Sequence, residues 1–109
     1  MDIKDIYKKQ IDFQNSIKDK YDFELNELPT DNVNGFSYHI QHLISEIGEV
    51  LTADKRWKSL RKSYFNINEK EDEIADCFIV LMNIAIFSGI EPEKFEKIII
   101  DKINRNFVR

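Results

Sequence analysis

The run ADCFIVLMNIAIF, Ala75 to Phe87, constrains the fold more than any other stretch of the chain. It is apolar all round except at Asp76 and Asn83. Coiled as a helix it has no polar face to turn to water, so every side of it needs cover. Charged residues from Glu69 lead into it, and Gly89 and Pro92 mark a stop and a new start. A helix is therefore predicted from about Glu69 to Ser88. The chain has 109 residues, which makes residues 1–109 a single domain by length. So small a domain can hardly surround one helix with its own remaining helices. A second subunit is expected to cover part of it.

The rest of the chain reads as helix too. It contains only 3 Gly and 2 Pro, too few turn residues for a fold of many short strands. Ile3, Ile6, Gln10, Phe13 and Ile17 recur at spacings of three and four, which predicts a helix from about Ile3 to Tyr21. The segment NELPTDNVNGF, Asn26 to Phe36, is the clearest loop. A second helix is predicted from about Ser37 to Lys55, with Phe36, Ile40, Leu43, Ile44, Ile47 and Leu51 as its apolar stripe. The basic segment Arg56 to Asn68 reads as loop, lid or partial helix. A last helix starts at Pro92 and reaches about Asn106, with Phe95, Ile98, Ile99 and Ile103 as its inner face. The expected fold class is all-α, a bundle of four to five helices packed against a second subunit.

Charge and cysteine usage narrow the function. The net charge of -4 argues against binding long nucleic acid, whose affinity comes from Lys and Arg on phosphates. It leaves room for a small phosphorylated ligand held through a metal. Cys77 is the one cysteine and lies in the apolar run, so it reads as a buried thiol. The start, MDIKDIYKKQ, has no apolar signal core, and no apolar run approaches the roughly 18 residues that span a bilayer. The expectation is a cytoplasmic protein with no membrane partner.

Four carboxylates stand out. In HLISEIGEV, Glu46 and Glu49 lie three residues apart, where like charges on a helix repel. Gly48 between them costs the helix about 1 kcal/mol relative to Ala. Its missing side chain would let another helix approach. Glu73 and Asp76 repeat the spacing at the edge of the apolar run. Two such pairs on facing helices would aim four acids into one gap, and a hard divalent cation would relieve their repulsion. Either pair alone is more at home on a solvated face than at a metal, and Glu69 and Asp72 share the spacing in a first turn, where acids suit the helix dipole. A di-iron centre needs Glu-x-x-His on two helices. His39 and His42 do not follow a Glu at that spacing, so the all-oxygen set points to Mg²⁺ or Mn²⁺. The two histidines read as packing or surface residues, with His39 a candidate to line a pocket.

Glu46-x-x-Glu49 followed by Glu73-x-x-Asp76 resembles the signature of the all-α nucleoside triphosphate pyrophosphohydrolases. That superfamily holds the MazG-type enzymes, the small dCTP pyrophosphatases, the dimeric dUTPases and phosphoribosyl-ATP pyrophosphatase. SEIGEVL and DEIADCFIVL are similar to its two acid-bearing helices, and Lys102, Asn106 and Arg109 fit a K-x-x-x-N-x-x-R pattern near the end of MazG-like domains. Trp57 and Lys58 resemble a Trp-Lys pair of the dCTP-type members. The resemblance covers Phe36 to Arg109. Ser45 stands where many members carry a further Glu, and the Trp is offset by one residue relative to the acids.

The resemblance implies Mg²⁺-dependent hydrolysis of a nucleoside triphosphate between its α and β phosphorus atoms by a homo-oligomer, dimer or tetramer. It implies Glu46, Glu49, Glu73 and Asp76 as metal ligands, with Glu49 also orienting or deprotonating the attacking water. Lys102 and Arg109 would meet phosphates, Asn106 sugar or phosphate, and Trp57 with Lys58 the substrate. Without the resemblance, Lys102 and Arg109 simply complement a helix dipole, and Trp57 serves the core or a subunit contact. The alternative for the whole chain is a non-catalytic helical dimerisation module with solvated acids. A third reading keeps the family fold with altered catalysis.

Overall fold

The computed structural model describes residues 1–58 and 64–108. Among them are four α-helices and no strand: α1 (Ile3–Ile17), α2 (Val33–Ala53), α3 (Ile67–Ile86) and α4 (Pro92–Phe107). The 3-10 turn Lys18–Lys20 prolongs α1, so the periodicity that predicts helix to Tyr21 ends one turn early. None of the helices is long and apolar enough to cross a membrane.

Caps explain where the helices start. The Asp2 and Asp5 side chains each accept from the other's backbone N–H, a capping box that fixes the start of α1. Asn32 and Asn66 cap α2 and α3 by accepting from the N–H of Gly35 and Glu69. The Asn32 cap corrects the predicted start at Ser37. Val33, Asn34 and Gly35 form the first turn of α2, because the cap satisfies donors that a loop would have left to water. Gly89, at φ +80, ends the α3 segment, and Pro92 opens α4 as the sequence indicates.

The core is a cluster of Tyr7, Ile11, Leu28, Met82, Ile86, Phe87 and Phe95, drawn from α1, α3, α4 and the α1–α2 loop. Tyr7 and Phe95 stack at 4.0 Å between ring centroids, and the Tyr7 hydroxyl donates to Ile90 O at 2.7 Å. These contacts fasten α4 to α1 through the first half of α4. In the second half Ile100, Ile103, Phe107 and Val108 are exposed.

The α2–α3 pair is the most extensive helix contact. At one end it is set by Gly35. A Cβ there would lie 2.0 Å from Phe87 Cδ1, so the ring occupies the space a side chain would need. At the other end the chain closes on itself. Lys55 N donates to Tyr64 O at 2.7 Å, and Asn66 N donates to Ala53 O at 3.1 Å. The Asp54 carboxylate accepts from Arg56 and from Lys70, each at 2.8 Å, and these bonds hold its carboxyl well below the usual range.

Two expectations change here. The apolar stripe predicted for α2 does not face the rest of the chain: Phe36, Ile40, Ile44, Ile47 and Leu51 are exposed, and Leu43 alone is half-buried. The side turned inward carries Gly35, His39, His42, Glu46 and Ala53. The apolar α3 is likewise covered on one side only, with Ile74, Phe78, Ile79 and Leu81 exposed. A Cβ at Gly48 meets nothing within 4 Å, so no helix of this chain exploits that glycine.

The two helical glycines should therefore respond in opposite directions. Gly35→Ala forces Phe87 to move and should cost about 2 kcal/mol, as overpacking of a core does. Gly48→Ala places a methyl in open space and should add up to about 1 kcal/mol. Urea unfolding of both variants checks this. Destabilisation by Gly48→Ala would mean that another subunit seats on that glycine.

Candidate metal centre

Three of the four acids predicted from sequence meet between α2 and α3. One carboxylate oxygen from each of Glu46, Glu73 and Asp76 lies within 4.8 Å of the others. Oxygens on opposite sides of one Mg²⁺ are about 4.2 Å apart, so the spread is one a small cation could gather. Three carboxylates are a hard donor set, which suits Mg²⁺ or Mn²⁺ rather than a thiophilic ion. Glu49 is not in this group and is exposed. It is still close, since its charge is the largest of those that raise the Glu73 carboxyl above its ordinary range. Partial burial of Glu73 is the first cause of that rise, followed by Glu49, Asp76 and Glu46. The same surroundings, partial burial first, push the Cys77 thiol up and so hold it protonated.

The acids border a cavity of about 390 Å³. Glu46 and Asp76 form part of its wall, with His39, His42 and Tyr38 from α2. Phe13, Gln10 and Gln14 come from α1, Lys20 and Tyr21 follow it, and Asn83 comes from α3. Ile17, Ile79 and Val80 complete a lining that is apolar and aromatic with a few polar groups, the usual composition of a small-molecule pocket. Gln10 Nε2 donates to Asn83 Oδ1 at 2.8 Å and ties α1 to α3. His42 Nε2 lies 3.0 Å from Glu46 Oε1, a contact that orients the carboxylate from behind.

His39 is 1 % exposed, and its Nδ1 has no hydrogen-bond partner among the described residues; the same holds for His42 Nδ1. Burial, helped by the neighbouring His42, lowers the His39 pKa to about 4, so the ring is neutral near pH 7. A buried polar atom left unpaired costs about 1–3 kcal/mol. Both histidines line the cavity, and His42 also contacts Glu46 of the acid cluster.

The other residues expected at a substrate lie elsewhere. Trp57 and Lys58 sit in the connection after α2; Trp57 is exposed and donates to Leu51 O at 3.4 Å, and Lys58 lies over its ring at 5.3 Å. Neither lines the cavity. Lys102 and Asn106 are exposed on the second half of α4, and Asn106 borders a separate shallow hollow with Ile103 and Phe107. Arg109 lies outside the described residues. The residues that sequence reasoning passed over are Gln10, Gln14, Tyr21, Tyr38 and Asn83. The signal for two of them was present, because Gln10 interrupts the apolar stripe of α1 and Asn83 interrupts the apolar run of α3.

No protein-family model, curated protein or solved structure matches the chain.

The crowded acids yield a prediction with a definite sign. Ionising a carboxyl whose folded pKa is raised lowers stability as pH climbs through that pKa. Glu73→Gln should therefore raise the melting temperature in EDTA at pH 7. The gain should vanish at a pH low enough to protonate Glu73. Mg²⁺ or Mn²⁺ should raise the melting temperature of the wild type and not that of Glu73→Gln. Thermal melts across pH, with metal and with EDTA, check both parts.

Proposed function

We propose that the chain is a divalent-metal-dependent nucleoside triphosphate pyrophosphohydrolase of the all-α type, acting as a homo-oligomer. The observation that carries this reading is the convergence of Glu46, Glu73 and Asp76, of which Glu46 and Asp76 also line a cavity of mixed aromatic, amide and aliphatic side chains. The acids suit a metal-bound phosphate chain, and the cavity suits a nucleoside. The motif resemblance set out above supports the same assignment.

In this reading Glu46, Glu73 and Asp76 would hold Mg²⁺ or Mn²⁺, which would neutralise charge at phosphate oxygens and acidify a water when bound. Glu49, close enough to Glu73 for its charge to raise that carboxyl, is assigned as the general base and stays a further candidate ligand. It takes the proton as the water oxygen bonds to the α phosphorus. The bridging bond to the β phosphorus breaks, leaving a monophosphate and pyrophosphate. His42 holds Glu46 in place through its 3.0 Å contact. Trp57, Lys58, Lys102, Asn106 and Arg109 remain proposed substrate contacts on the strength of the resemblance. For those on α4 a route through a neighbouring subunit suits their distance from the cavity wall.

The homo-oligomer is supported by the outward stripe Phe36, Ile40, Ile44, Ile47 and Leu51 beside the exposed α3 residues Ile74, Phe78 and Leu81. Apolar surface on two adjacent helices is what a subunit contact buries. The same surface favours the second reading, a non-catalytic helical dimerisation module. The cavity and its unpaired histidine nitrogens are unexplained in that case.

A panel of ribo- and deoxyribonucleoside triphosphates, incubated with Mg²⁺ or EDTA, separates the two. Pyrophosphate and orthophosphate are assayed independently. The expected result is Mg²⁺-dependent pyrophosphate release with the monophosphate as co-product. Glu49→Gln should lower turnover by at least 10²-fold, the lower end of what a general base contributes, with the melting temperature little changed. Absence of release from every nucleotide by a folded oligomer would favour the dimerisation module.

A further inference from the structure

The α2–α3 layer has two sides. His42 and Glu46 of α2 and Asp76 and Asn83 of α3 line the cavity, and α1 lies on that side. At about 100° per residue the stripe of α2, Phe36 to Leu51, falls on the other side, and so do Ile74, Phe78 and Leu81 of α3. The five large apolar residues of that stripe and the three of α3 are each 37–66 % exposed. Together they offer on the order of 800 Å² of apolar surface, about what one partner of a standard stable interface buries.

The sequence of α2 keeps charge off this side. From Val33 to Ala53 it has no Lys, Arg or Asp, and its two acids, Glu46 and Glu49, lie outside the stripe. The outer side of a surface helix ordinarily carries charge. A second copy is the occupant that fits. Each copy has a net charge of -4, so two copies repel over most of their surface and meet closely only where charge is missing. A foreign partner of opposite charge finds nothing on this side to pair with.

The acid seam lies directly behind the face. Glu46 precedes Ile47 of the stripe, and Glu73 precedes Ile74. Like charges there push α2 and α3 apart in mid-span, between the fastenings at Gly35 and at Ala53. The face is built from both helices, so how well its ridges and grooves take a partner depends on the spacing of the two. We propose that the outer face of the α2–α3 layer joins two copies of the chain, and that the charge in the seam behind it sets how tightly they join. Relieving that charge strengthens the dimer, and by linkage the dimer strengthens the binding of whatever relieves it. The choice of a divalent cation for that role rests on the function proposed above; the face and its dependence on seam charge rest on the geometry.

Sedimentation equilibrium at pH 7 in EDTA reads the dimer dissociation constant. The wild type should be a dimer that dissociates on dilution. Ile44→Glu and Ile47→Lys put charge on the face at exposed positions and should give monomers that keep their helical circular dichroism. Glu73→Gln should tighten the dimer at least about fivefold, the lower end of ordinary coupling. Asp12→Asn removes the same charge from the exposed side of α1 and should change the constant less than about twofold, as a distant site does. Mg²⁺ or Mn²⁺ should tighten the wild type at least about fivefold and leave Glu73→Gln unchanged.

A wild type that stays monomeric overturns the proposal, and so does a dimer that Ile44→Glu and Ile47→Lys both leave intact. A dimer no tighter in Glu73→Gln than in Asp12→Asn overturns it as well. If Mg²⁺-dependent pyrophosphate release accompanies any of these results, the hydrolase reading stands without the coupling. Tightening by Glu73→Gln with no response to Mg²⁺ or Mn²⁺ keeps the coupling and removes the metal from the seam.

Discussion

Three carboxylates from two facing helices crowd into one seam, and the rest of the fold is arranged around that constraint. Glu46 on α2 and Glu73 and Asp76 on α3 repel one another when ionised, and the Glu73 carboxyl is raised, first by partial burial and then by the charges of Glu49, Asp76 and Glu46. Repulsion in a seam would part the helices unless something else held them. Both ends are held. At one, Phe87 fills the space that Gly35 leaves open. At the other, backbone bonds between the α2 and α3 flanks combine with the Asp54 carboxylate, which gathers Arg56 and Lys70. The acids are kept close because the clamps lie beyond them. An arrangement that spends packing at both ends to hold like charges together makes sense when a cation relieves the charge.

The same seam explains why α2 turns its less apolar side inward. Glu46 has to face α3 if it is to meet Glu73 and Asp76. His42, one turn before it, must then face inward too, and His39 and Gly35 continue the line toward Phe87. Helical geometry leaves no choice about the opposite side. Once Gly35, His39, His42 and Glu46 point in, Ile40, Ile44, Ile47 and Leu51 point out. The exposed stripe is thus a consequence of building the site on the inner face of α2. Gly48 lies on this outer part of the helix with open space above it. A subunit that covers the stripe would account for both the apolar residues and the glycine.

Much of this was legible in the chain. Spacings of three and four residues mark α1, α2 and α4, and the run that is apolar all round marks α3. The start of α2 was misplaced because Asn32, Asn34 and Gly35 read as turn residues, whereas one of them is a cap and another a packing glycine. The acid pairs were legible because their spacing is local to each helix. The cavity was not, since it depends on how α1 lies across α2 and α3, and no spacing within one element encodes that. Only the polar exceptions hinted at it. Gln10 and Asn83 each break an apolar pattern, and they prove to bond to each other. The inward face of α2 was misjudged for a related reason. Hydrophobic periodicity finds the most apolar side of a helix, and in a subunit of an assembly that side need not face its own chain.

The polar cavity bears on the choice between a catalytic domain and a dimerisation module. A module needs an outer apolar face and a well-packed interior, and its interior is most stable when filled with apolar side chains. This chain instead places Gln14, His39 and Asn83 among its buried residues and leaves the Nδ1 atoms of His39 and His42 unpaired. An apolar residue of similar volume at position 39 would remove an unsatisfied nitrogen without disturbing the outer stripe of α2. Nothing in dimerisation would select against that replacement. A ligand that approaches the acids from the cavity side would, because it needs partners at the far wall. On the function proposed above, the buried polar wall and the acid cluster are two parts of one ligand site. The outward apolar stripe is a separate surface, and on the homo-oligomer proposed above it is where copies of the chain would meet.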